Sequence, residues 1–82
     1  MSRFIHPFST VENGAILGDE VYIGPYCYVG KNVKISNKTR LISYVSIFGW
    51  TSIGENNTFY PGSVIGAEPQ DIAYDGSKSY VI

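Results

Sequence analysis

The sequence predicts an all-β fold of one 82-residue domain, a single chain wound as a three-sided coil of short strands. Three observations carry that expectation. From Ile5 to Ile65 an apolar residue returns at every sixth position: Ile5, Val11, Leu17, Ile23, Val29, Ile35, Leu41, Ile47, Ile53, Phe59 and Ile65. At 44% hydrophobic content such a series would arise by chance in less than about one sequence in a thousand, so the period is a property of the fold. It fits neither the 3.6 of a helix nor the 2 of a lone strand. Four residues after each apolar position stands Ser9, Ala15, Val21, Cys27, Val33, Thr39, Val45, Thr51, Asn57 or Ser63, all small or β-branched except Asn57.

The third observation is a longer period. Pro7, Pro25 and Pro61 fall in one column at multiples of 18 residues, broken only by Ser43, and Phe8, Tyr26 and Tyr44 form the adjacent column. Proline donates no ladder hydrogen bond, so its confinement to one column places it repeatedly at one corner of a triangle. Residues 18 apart therefore stack. The expected core columns are Ile5/Ile23/Leu41/Phe59, Val11/Val29/Ile47/Ile65 and Leu17/Ile35/Ile53.

Taken in order, residues 1–4 lead in and Ile5 opens the first hexad. The coils run over about 5–22, 23–40 and 41–58, and a fourth begins at Phe59, making roughly 3.5 coils. Gly18, Gly24, Gly30, Gly54 and Gly66 each follow an apolar position directly, giving aliphatic, Gly, any, any, small, any. Asn13-Gly14, Asn32, Asn37 and Asn56-Asn57 lie at expected corners, where Asn and Gly tolerate left-handed backbone. The third coil departs from the Gly pattern at Ile42 and Phe48, whose side chains are expected to point outward. With Tyr22, Tyr28, Tyr44 and Trp50 they put large aromatics on the outside, which reads as a subunit interface or as plain surface decoration. Continuous hexads cover 5–65. Over 66–80 a polar loop breaks the repeat and puts Asp71 where the next apolar residue should stand. Tyr80-Val81-Ile82 then looks like the approach to another hexad, with no cap in sight at that end.

Composition excludes several function classes. A net charge of −1 and scattered Lys and Arg make no electrostatic case for nucleic acid or an anionic membrane. One cysteine permits no internal disulfide, and its column makes Cys27 a core residue. The opening residues form neither a signal peptide nor a membrane span, so no membrane insertion is expected and a cytoplasmic location follows by default. A three-histidine metal site needs more than His6, and a serine or cysteine nucleophile needs a partnering base. The recurrent glycines keep step with the hexads and open no helix, which removes a nucleotide-loop reading. Glu12, Asp19, Glu20 and Glu55 read as solvated surface.

The residues also match something more specific. Ile5-His6-Pro7, Val11-Glu12-Asn13-Gly14-Ala15, Ile23-Gly24-Pro25-Tyr26-Cys27 and, most tellingly, Ile65-Gly66-Ala67-Glu68-Pro69-Gln70-Asp71 followed by Tyr74 and Gly76 run through essentially the whole chain. They resemble the N-terminal part of the acyl carrier protein-dependent UDP-N-acetylglucosamine O-acyltransferase family, which opens lipid A biosynthesis. The resemblance implies a left-handed parallel β-helix, a homotrimer with active sites between neighbouring helices, and no metal or redox cofactor. It also implies transfer of a 3-hydroxyacyl chain from acyl carrier protein to the 3-hydroxyl of UDP-N-acetylglucosamine. Gln70 and Asp71 match the family's substrate-cleft loop, while Ala73 stands where that pattern usually has Lys. The family's general-base histidine lies in later coils. His6 matches the structural Ile-His-Pro element instead, so no catalytic residue carries over and the isolated chain is expected to be inactive. Two alternatives stay open: a non-catalytic trimerising module, and another acyl or acetyltransferase on the same scaffold.

Overall fold

The computed structural model describes residues 2–66 and 80–81. Among the described residues twelve short strands follow one another: β1 (Phe4–Ile5), β2 (Thr10–Val11), β3 (Ile16–Leu17), β4 (Tyr22–Ile23), β5 (Tyr28–Val29), β6 (Val33–Ile35), β7 (Arg40–Leu41), β8 (Ser46–Ile47), β9 (Thr51–Ile53), β10 (Thr58–Phe59), β11 (Val64–Ile65) and β12 (Tyr80–Val81). Every third strand joins the same sheet. The first side is β1-β4-β7-β10, the second β2-β5-β8-β11 and the third β3-β6-β9-β12, with every pairing parallel. The registers Ile5↔Ile23, Ile23↔Leu41 and Leu41↔Phe59, with their equivalents on the other sides, reproduce the expected core columns.

The two residues of each hexad that face inward fill the coil. Ile23, Val29, Ile35, Leu41, Ile47 and Ile53 supply the large contacts, and Val21, Cys27, Val33 and Val45 the small ones. Thr39 and Thr51 share that small column and are fully buried, so their hydroxyls need partners. Thr39 Oγ1 donates to the Gly54 carbonyl at 2.7 Å and accepts from the Asn57 amide at 3.2 Å. Ser9, at the corner between the first and second sides, does the same, donating to Gly24 O at 2.6 Å and accepting from Cys27 N at 2.8 Å. A small polar residue thus ties its own coil to the next one. Asn57, which broke the small-residue rule, uses its amide Nδ2 on the Gly54 carbonyl.

The corners differ from the sequence expectation. Of the Asn and Gly residues singled out, Gly14 and Asn56 have positive φ, and Asn13, Asn32, Asn37 and Asn57 do not. Glu20, Tyr26, Lys38 and Tyr44 take the left-handed conformation instead, with φ between 52° and 66°. The positions they occupy are regular: 14, 20, 26, 38, 44, 56 and 62 each stand three residues after a large core residue. Neighbouring coils fix that conformation through backbone bonds such as Lys38 N to Asp19 O, Tyr44 N to Pro25 O and Asn56 N to Asn37 O. Residues of several types adopt it there, whereas Phe8, Asn32 and Trp50, at the same place in the hexad, do not. Pro25 and Pro61 precede left-handed residues, as the first central residue of a tight turn does.

At Gly18 and Gly24 the repeat glycine serves close approach rather than left-handed backbone. At Gly24 a Cβ would overlap the Ile42 carbonyl oxygen, and at Gly18 it would overlap the Asn37 side chain. Coil three has Ile42 and Phe48 at this position, and Phe48 points outward as expected.

Candidate functional site

The loop that breaks the repeat is where the sequence places its chemistry, and its described ends define the site's base. β11 pairs with β8 in the regular register, Val64↔Ser46 and Ile65↔Ile47. The next residue, Gly66, turns left-handed at φ 72°. This is one position after the core aliphatic, whereas Gly18, Gly24, Gly30 and Gly54 at the same place in the hexad do not have positive φ. The chain rejoins the third side as β12, with Tyr80 opposite Thr51 and Val81 opposite Ser52. Tyr80 and Thr51 are 29 residues apart, where every other stacked pair is 18 apart, so eleven extra residues are spliced into this corner. The expected return of the hexad at Tyr80-Val81 is thus a strand. Gln70, Asp71, Ala73, Tyr74 and Gly76 lie outside the described residues.

Beneath the splice lies the corner between β8 and β9. Thr51 Oγ1 donates to the Phe48 carbonyl at 2.7 Å, and Phe48 N donates to Ile65 O at 3.0 Å. Phe48 stacks obliquely on Tyr28 one coil below, with ring centroids 5.4 Å apart. Tyr28 in turn donates its hydroxyl to Glu12 Oε2 at 3.3 Å. Loss of solvent around the phenol, followed by the charge of the Glu12 carboxylate and the hydrogen bond to it, holds the Tyr28 pKa above the ordinary tyrosine value. Sequence reasoning placed Tyr28 and Phe48 on the outside but missed the Glu12 bond, because the two residues are 16 apart and a near-coil register is needed to see that they meet.

His6 stands elsewhere. Its Nδ1 accepts a hydrogen bond from Phe8 N at 3.1 Å, and its ring lies against Phe4 and Phe8. It closes the corner between β1 and β2 in the first coil. The splice is in the fourth, about 14 Å further along the axis at ordinary strand spacing. Among the described residues no three His, Cys, Asp or Glu side chains gather as a metal site would require.

A second surface feature runs along the corner between the first and second sides. Phe8, Tyr26 and Tyr44 stack in a ladder with centroid separations of 5.6 Å and 5.2 Å, and all three rings are exposed. Beside them Phe4 stacks on Tyr22 at 5.3 Å, and the Arg40 guanidinium sits over Tyr22. The 18-residue column of the sequence is thus a continuous aromatic strip.

No family model matches the chain. Individual proteins do. An acyl-(acyl-carrier-protein)–UDP-N-acetylglucosamine O-acyltransferase from Thermodesulfovibrio yellowstonii is 48% identical over 77 residues, covering 94% of this chain and 30% of that protein. The chain is similar to UDP-N-acetylglucosamine O-acyltransferases. Acyltransferases of the same name from Rickettsia canadensis and Mesorhizobium japonicum are 44% and 38% identical, each over 95% of the chain. Among solved structures, an Arabidopsis UDP-N-acetylglucosamine acyltransferase superposes with a TM-score of 0.67 at 28% identity, covering 93% of this chain and 34% of that one. The three-sided coil is accordingly the left-handed parallel β-helix of that acyltransferase. The chain spans about a third of the length of these acyltransferases. No helix among the described residues is long and apolar enough to cross a membrane.

Proposed function

We propose that this chain is the N-terminal segment of a UDP-N-acetylglucosamine 3-O-acyltransferase, which takes a 3-hydroxyacyl chain from acyl carrier protein in lipid A biosynthesis. The observation that carries the reading is the splice. Identity to the acyltransferases extends over nearly the whole chain, and the coil opens at one corner to admit eleven additional residues that include Gln70 and Asp71. A rigid coil that interrupts its own register at a single place is presenting a loop.

In this reading Gln70 and Asp71 bond the nucleotide sugar or orient the groups that act on it. The general base is a histidine supplied by later coils, which removes the proton of the sugar 3-hydroxyl as it attacks the thioester carbonyl. A backbone amide stabilises the resulting oxyanion. Ala73 leaves out a lysine contact, so sugar binding leans more on Gln70 and Asp71. The active assembly is a cytoplasmic homotrimer. The exposed aromatic strips on the first and second sides support an interface, because contiguous aromatic surface of this kind is uncommon on a monomer.

The test uses purified protein supplied with 3-hydroxyacyl carrier protein and UDP-N-acetylglucosamine. The 82-residue chain alone is expected to make no 3-O-acyl product. The gene's full product is expected to turn over, and Asp71→Asn in it to lower kcat/KM by about ten- to a hundredfold, as loss of one charge-assisted substrate contact does. Turnover by the 82-residue chain, or an unchanged kcat/KM in Asp71→Asn, would contradict the reading.

A further inference from the structure

The splice has two ends, and one residue touches both. Thr51 lies opposite Tyr80 in the ladder, where the chain returns to the coil. Its hydroxyl also stands where a Cβ on Gly66 would have to go, at the point of departure, and the Phe48 carbonyl to which that hydroxyl donates blocks the same space. Gly49, left-handed at φ 70°, closes the packing from the other side, since a Cβ there would come within 2.9 Å of the Gly66 carbonyl. The side chain of Thr51 is buried, so its hydroxyl is held by the Phe48 carbonyl rather than by water.

We infer that Thr51 and Gly66 are positioning residues that fix the exit and the return of the 67–79 segment against each other, and so aim the loop that carries Gln70 and Asp71. The inference rests on reading that segment as the substrate loop. Gly66 supplies the exit direction: a left-handed backbone two residues early in the hexad, at a place where no side chain fits. Thr51 supplies the anchor. Its methyl-bearing, hydrogen-bonded side chain fills the space against which Gly66 turns, while its backbone receives the returning strand. Loops whose two ends are pinned close together lose less freedom when a ligand orders them than loops with free ends.

The experiment is amide hydrogen exchange on the isotope-labelled 82-residue chain, with UDP-N-acetylglucosamine titration as a separate arm. In Gly66→Ala, protection at Tyr80 and Val81 is expected to fall by about tenfold or more, while amides of Ile23, Ile35, Leu41 and Ile47 keep theirs. Gly30→Ala, at the same place in the hexad but with only ordinary contacts awaiting its Cβ, is expected to leave β12 unchanged. Thr51→Val keeps the shape and removes the hydroxyl, and it is expected to loosen β12 with the coils intact. Should Gly66→Ala unfold the coils, Thr51→Val decides alone. Unchanged protection at Tyr80 and Val81 in Gly66→Ala or in Thr51→Val would overturn the inference. In the titration arm, shifts at Gln70 and Asp71 in the parent chain that weaken in Gly66→Ala are expected. Shifts of equal strength in both would overturn the aiming role. A parent chain that gives no shift would count against the substrate-loop reading, leaving the exchange arm to decide the anchoring.

Discussion

The first coil and the two inner coils are written in the same six-residue code, yet they are physically different objects. Leu41 and Ile5 occupy one column and one register, but Leu41 is completely buried and Ile5 is 41% exposed. The same contrast runs through every column: the core extends from Val21 to Ile53, with Val11, Leu17, Phe59 and Ile65 only packed against its ends. A hexad therefore does not bury its own aliphatic residue. Burial comes from the coil above and the coil below, so the stability of such a molecule is a sum of nearest-neighbour interfaces, and its ends are incomplete by construction.

The largest expected effect separates these two regions directly. Leu41→Ala should destabilise the chain by about 2–5 kcal/mol, the usual result of emptying a packed site. Ile5→Ala, in the same column, should cost about 1 kcal/mol or less because much of that side chain is already in water. Chemical denaturation of both variants checks the ratio. Equal losses would mean that something covers the first coil in solution, which would sharpen the case for an interface at that end.

A second comparison holds position in the hexad constant and changes the neighbour. Gly24→Ala drives a methyl group into the Ile42 carbonyl and is expected to cost about 1–3 kcal/mol. Gly30→Ala meets ordinary contacts and is expected to be neutral or to stabilise by less than about 1 kcal/mol, through the lost freedom of the unfolded chain. Thermal melts of the pair measure it. A uniform penalty would show that glycine is needed for backbone conformation and not for the approach of one coil to the next.

The smallest effect lies on the surface. Because the Tyr28 pKa is raised in the folded chain, the native state holds that proton more tightly than the unfolded chain does. Its stabilising contribution is whole below the ordinary tyrosine range and is lost as pH rises through the raised value. Glu12→Gln should therefore move the Tyr28 titration midpoint down, followed by its ring resonances in NMR. A midpoint that stays put would assign the shift to loss of solvent alone, its largest cause.

These contrasts also mark how far the sequence could be read. The three core columns, the proline corner and the aromatic strip were legible because each rests on a period, and a period survives without coordinates. The reading of a break after Gly66 rests on the same period. The left-handed corners were not, since Glu20, Tyr26, Lys38 and Tyr44 have no propensity for that conformation and adopt it only under the hydrogen bonds of adjacent coils. The recurrence of glycine was legible but its cause was not, because what excludes a side chain at Gly24 is a carbonyl 18 residues away. Thr51 looked like one more small core residue, and nothing in its own neighbourhood of sequence pairs it with Tyr80. At the candidate site, Gln70 and Asp71 came from resemblance, and the described residues supply the frame from which their loop departs and to which it returns.

The central claim is that these coils are the first third of an acyltransferase. Its most direct test is the intact mass of the native product in its own cells, detected with an antibody raised to this segment. The account predicts a protein of about 30 kDa, since 9.0 kDa corresponds here to 30% of a relative's length. A native product of 9.0 kDa would contradict it, because the coils that carry the general base would then be missing from the cell.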